Sequence, residues 1–153
     1  MKSDVERNFF SQTQKILLLL VIIILVSTLL IFKNTFFKST LSLKSLGQLS
    51  MDPGVAFLNK KPTFLEFYAE WCEICKEMAP DIVQLRNDYG DDINFVFLNV
   101  DNPKWEKYIK EFNVNGIPQI NLFNSQSKIT TTFLGLQDEM KIKNAISNLK
   151  NDS

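Results

Sequence analysis

Apolar and polar positions follow two different periods along this chain, and one stretch follows none. Ile16 to Phe32 is an unbroken apolar segment, softened only by Ser27 and Thr28 and flanked by Lys15 and Lys33. At about 1.5 Å per residue, such a helix covers most of a hydrocarbon layer roughly 30 Å thick. Past residue 60 the pattern becomes that of a folded domain. Thr63–Tyr68 reads as a strand, and Ile93–Val100, almost continuously apolar, as a strand covered on both faces. Between them Cys75, Met78, Ile82, Leu85 and Tyr89 recur at steps of three and four, a single helical stripe. Pro80 falls inside that stripe, which continues in register beyond it, so a kink is expected there and not an end.

Cap-then-proline pairs open further helices. Asp52-Pro53 starts one that runs to about Asn59, and Asn102-Pro103 starts another with Trp105, Tyr108, Ile109 and Phe112 on its buried face. Gln119–Phe123 and Lys128–Leu134 are strands joined by Asn124-Ser125-Gln126-Ser127, a hairpin. Asp138 caps a last helix with Ile142, Ala145, Ile146 and Leu149 inward. Strands alternating with helices predict an α/β domain of three layers, α/β/α, around a largely parallel sheet that the hairpin makes mixed. The expected organisation is a tail at 1–15, a transmembrane anchor at 16–33, a polar linker at 34–50 with a short helical piece at Leu41–Leu49, and the folded domain at 51–153.

Two observations bear on the anchor. A cleaved signal peptide competes with it, but the apolar run exceeds the usual length of about 7–15 residues, and no small-residue cleavage pattern follows Phe32. Flanking charge does not settle orientation: Lys2, Arg7 and Lys15 precede the span, and Lys33, Lys38 and Lys44 follow it. The short cationic tail resembles a signal anchor, which leaves the N-terminus in the cytoplasm and the domain across the membrane.

Charge and composition then exclude several classes. The 17 basic and 17 acidic residues balance, but after residue 50 eleven basic face fifteen acidic, so the domain has no electrostatic footprint for nucleic acid. The chain has no histidine, which rules out Cys-His nucleophile pairs and His-ligated zinc; two cysteines alone make a poor metal site. No metal or other cofactor is expected.

Those two cysteines are the candidate chemistry. Cys72 and Cys75 stand at C-x-x-C spacing between the first strand and the long helix, which places them at a helix N-terminus. There, unpaired N–H groups and the positive end of the helix dipole favour the thiolate, the form that attacks disulfides. Cys72 is the expected attacking sulfur, with Trp71 shielding one side, and Cys75, one turn inward, the resolving one. A static structural disulfide is the alternative. Glu70, Glu73 and Glu77 put negative charge around the pair, opposed by Lys76, which predicts a reducing couple unless these carboxylates are fully screened. Glu66, mid-strand among apolar neighbours, is expected to be buried with its pKa raised toward neutrality.

From Pro62 to Leu136 the chain resembles thioredoxin. The resemblance rests on the strand followed by Trp71-Cys72-Glu73-Ile74-Cys75-Lys76, on Pro80, on Gly116-Ile117-Pro118 before a strand, and on Gly135 after the hairpin. Phe67-Tyr68-Ala69-Glu70-Trp71-Cys72-Glu73, with the acidic residue at 66 and the N-terminal anchor, is similar in particular to membrane-anchored thioredoxin-like proteins of cyanobacteria and chloroplast thylakoids. The resemblance implies a thioredoxin-like fold in which Glu66 exchanges the proton of Cys75 as general base and acid. Phe97 stands where a buried lysine often partners that acid. It further implies a cis Ile117–Pro118 bond facing the disulfide, with Ile117 offering its backbone to a bound client chain.

For that group the resemblance implies a protein disulfide reductase held in the bilayer through residues 16–33. Its domain lies outside the cytoplasm, in a thylakoid lumen or periplasm. Protein disulfides, such as those of apocytochromes, are its substrates, and a membrane thiol transporter supplies its electrons. An oxidant or general disulfide-repair role, or a non-catalytic binding module of the same fold, remain the alternatives.

Overall fold

A computed structural model describes residues 12–151, and the chain divides into two compact units, residues 1–37 and 38–153. The first helix, α1 (Gln12–Gln48), begins with a stretch from Gln12 to Lys33 that is long and apolar enough to cross a membrane. The side chains of Ile16 to Phe32 carry no polar face, and their apolar atoms are exposed. A helix apolar all round needs an apolar surrounding.

The second unit is built on a sheet of four strands in the order β2-β1-β3-β4. Its elements follow α1 as α2 (Pro53–Leu58), β1 (Thr63–Tyr68), α3 (Glu73–Tyr89), β2 (Asn94–Asn99), α4 (Glu106–Glu111), β3 (Gln119–Phe123), β4 (Ile129–Leu134) and α5 (Glu139–Asn151). A 3₁₀ turn, Pro103–Trp105, leads into α4. The caps form as the sequence predicts: Asp52 accepts from the Gly54 amide, Asn102 from that of Lys104, and Asp138 from that of Met140.

The sheet is mixed, but less parallel than expected. β1 pairs parallel with β2, whereas β3 runs antiparallel to both β1 and β4. The connection from β2 to β3 therefore stays at one end of the sheet. A six-residue helix such as α4, about 9 Å long, suffices there but falls well short of a strand of about 20 Å.

Alternation along β1 sorts the core into two layers. Phe64 and Tyr68 join Cys75, Met78, Ile82 and Leu85 of α3 and Ile142, Ile146 and Leu149 of α5. Leu65 and Phe67 face the other way, toward Ala56 of α2 and the partly buried Trp105, Tyr108, Ile109 and Phe112 around α4. These are the three layers that the sequence predicts.

Residues 34–50, read as a polar linker with a short helical piece at Leu41–Leu49, are helical as far as Gln48, since α1 continues that far. Leu43 and Leu46 are buried in the first core layer, and a Cβ on Gly47 would collide with the Tyr68 hydroxyl. Scattered leucines in a polar stretch look like a tether, yet Leu43 and Leu46 are three apart and share one helical face. The chain then seals the free edge of β2. The Met51 amide donates to the Phe95 carbonyl, and the Ser50 hydroxyl both accepts from the Phe97 amide (2.8 Å) and donates to the Phe97 carbonyl. One side chain here replaces a neighbouring strand.

Candidate redox site

β1 delivers the chain to the N-terminus of α3 through Ala69, Glu70 and Trp71. Cys72 is the N-cap of α3, extended in its backbone, and its Sγ accepts the Cys75 amide hydrogen at 3.1 Å. Cys72 and Cys75 form a disulfide with Cα atoms 5.3 Å apart. Cys75 is fully buried, while Cys72 retains 7% exposure. Helix-start amides point at the Cys72 sulfur and stabilise negative charge on it.

Three further features belong to the candidate site. Trp71 lies flat on the surface, 64% exposed, and its indole N–H donates to the Asp101 carboxylate at 2.9 Å. The peptide bond between Ile117 and Pro118, just before β3, is cis. The Gly135 amide donates to the Pro118 carbonyl at 2.9 Å, and Gly135 itself has φ +73°, a left-handed conformation that favours glycine.

Glu66 sits mid-strand on the face that carries Phe64 and Tyr68, the α3 side of the sheet. It is 1% exposed, its register neighbours are Phe97 on β2 and Ile120 on β3, and its Oε2 has no hydrogen-bond partner. Desolvation by burial pushes its pKa from 4.5 up to about 8. The carboxyl is therefore largely protonated at neutral pH. Tyr68 on the same face is also raised, by burial first and then by the charges of Glu70 and Glu66.

Glu73, between the cysteines, is not an isolated charge. Its carboxylate pairs with Lys76 at 2.7 Å while remaining 71% exposed. Among the described residues, no cluster of three or more His, Cys, Asp or Glu side chains could hold a metal ion.

The residues singled out in the sequence thus fall into two groups. Cys72, Cys75 and Trp71 are contiguous, and the Ile117–Pro118 segment has the cis geometry expected of it. Glu66 is buried mid-strand in β1, on the sheet face that carries Phe64 and Tyr68. Asp101, the partner of Trp71, escapes sequence reading because it lies thirty residues away in a polar loop with nothing local to mark it.

A buried acid in β1 and a disulfide that caps a helix, with a cis-proline segment before β3, define the class of thioredoxin-like redox domains. The chain belongs to the thioredoxin family, whose profile matches residues 52–148. Over 92 residues it is 47% identical to the thioredoxin-like protein HCF164, chloroplastic, of Arabidopsis thaliana, covering 60% of this chain and 35% of that protein. It is 45% identical over 87 residues to the thiol:disulfide interchange protein TxlA of Synechococcus elongatus, covering 57% of this chain and 46% of that one. Among solved structures, the germline-specific thioredoxin Deadhead of Drosophila melanogaster aligns with a TM-score of 0.54 at 30% identity, over 60% of this chain and 83% of its own. The chain thus spans between a third and a half of the length of these two curated relatives.

Proposed function

We propose that this protein is a membrane-anchored thiol–disulfide oxidoreductase that reduces disulfides in client proteins outside the cytoplasm. The observation that carries the reading is the Cys72–Cys75 disulfide at the start of α3, with its outer sulfur reachable and its inner one sealed. In the reduced protein, the Cys72 thiolate attacks a client disulfide, forming a Cys72–client bond and releasing one client thiolate. Cys75 loses its proton to ionised Glu66 and attacks the Cys72 sulfur, breaking the mixed disulfide and releasing the second client thiolate. Two electrons pass to the client, and the protein ends oxidised. Glu66 serves because its pKa lies near neutrality, where a group both accepts and returns a proton. Trp71, Ile117 and Pro118 border the client chain, with the Ile117 backbone in position for strand-like pairing.

The anchor at residues 16–33 holds the domain, at residues 51–153, to the bilayer. The likeness to a chloroplast protein and to a cyanobacterial interchange protein supports a lumenal or periplasmic domain. The proposal includes apocytochrome disulfides among the clients and a membrane thiol transporter as electron donor. The test is insulin reduction by the full chain in detergent, beside Cys72→Ser. Activity that vanishes in the variant supports the reading; an inert wild type with intact fold overturns it. Mixed disulfides trapped on Cys75→Ser in membranes identify the clients, and protease protection of the domain in sealed vesicles reports the side.

A further inference from the structure

A groove of about 520 Å³ lies between α3, whose lining residues begin at Glu77, two residues past Cys75, and the loop that follows β4. This is within the range of about 300–1,000 Å³ usual for binding clefts. Its floor includes Met78, a member of the same core layer as Cys72 and Cys75, and Leu136, which is 55% exposed. Its walls carry Glu77 and Asp81 on one side and Asp138 and Glu139 on the other, with no cation among the lining residues. Glu73, Glu77 and Asp81 are spaced four apart and share one face of α3, so the acidic stripe starts one residue from Cys72. Only Glu73 is neutralised, by Lys76; among the described residues no ion pair engages the other four carboxylates. The opposite wall begins at Leu136, next in the chain to Gly135, whose amide donates to the Pro118 carbonyl.

Resting on the disulfide-exchange reading, we propose that this groove receives the stretch of client polypeptide flanking the target disulfide, and that it selects clients whose flanks carry lysine or arginine. Four carboxylates around an exposed leucine suit a cationic side chain, whose aliphatic stem lies on Leu136 while its charged end reaches the rim. The same field raises the encounter rate of basic clients and slows acidic ones.

The test uses the full chain, reduced and held in detergent micelles, with three peptides that share one disulfide and differ only in flanks of lysine, glutamine or glutamate. Second-order reduction rates are measured at low and high salt. The lysine-flanked peptide is expected to react about 10-fold faster than the glutamate-flanked one at low ionic strength, falling to about 2-fold at ~0.5 M salt. In E77K/D81K the order inverts, an outcome that loss of fold cannot produce. Equal rates for the lysine and glutamate peptides, or a lysine preference that persists in E77K/D81K, overturn the groove assignment and leave the disulfide chemistry standing. Failure of the wild type to reduce even the glutamine-flanked peptide overturns the redox reading and this assignment with it.

Discussion

Glu66 on β1 and Phe97 on β2 are direct register neighbours, both buried, so the acid meets an aromatic ring where a cation would have lowered its pKa. With a folded pKa near 8 against 4.5 when solvated, Glu66 binds its proton more tightly in the native state. Its contribution to stability is therefore complete below about pH 4.5 and is lost as the pH rises through about 8. The denaturation midpoint is expected to fall between pH 5 and pH 8.5, and Glu66→Gln is expected to flatten that slope. In the Phe97→Lys variant the introduced cation lowers the folded Glu66 pKa, so the fall is smaller and levels off at lower pH. Parallel slopes in all three proteins would show that another group titrates.

The end of α1 contributes to the core of the domain. Leu46→Ala is expected to cost about 2–5 kcal/mol, the usual range for a buried leucine. Ser50→Ala leaves the Phe97 amide without its partner and is expected to cost about 1–3 kcal/mol. Urea unfolding of residues 38–153, which form a compact unit, measures both. A simple tether at these positions predicts changes near zero.

Asp101 holds the indole of Trp71 by a single hydrogen bond at the surface. Asp101→Ala is expected to slow client reduction about 2- to 10-fold, while stability changes by no more than about 1.5 kcal/mol. Asp101→Asn, which keeps an acceptor oxygen, is expected to recover most of the rate. Insulin turnover set beside tryptophan fluorescence distinguishes a freed ring from a damaged fold.

The charge between the cysteines acts through a pair. Because Lys76 neutralises Glu73, Glu73→Gln is expected to raise the reduction potential by less than about 30 mV, and Lys76→Gln to lower it. Equilibration with glutathione or a dithiol buffer gives both values. A shift well above that size on Glu73→Gln would mean that the glutamate acts on Cys72 unopposed.

Much of this architecture is written in local pattern. β1 and β3 match their expected limits, and β2 and β4 agree to within one residue at each end, because apolar runs bounded by Pro62, Gly90 and the Asn124–Ser127 turn leave little choice. The C-x-x-C spacing and the apolar setting of Glu66 likewise indicated the helix-start disulfide and the buried acid. What escaped reading depends on distant partners. The direction of β3 follows from a connection that stays at one end of the sheet, not from any residue within β3. Leu43 and Leu46 look like linker residues until the folded core that includes Tyr68 buries them. Asp101 gains its role only when the chain brings Trp71 alongside.

The cover that Ser50 and Met51 place on β2 also determines where the chain tolerates a cut. Cleavage on the N-terminal side of Leu43 leaves that margin closed. A nick after Met51 strips the margin bare, exposing the Phe95 carbonyl and the Phe97 amide to any extended peptide, including another copy of itself.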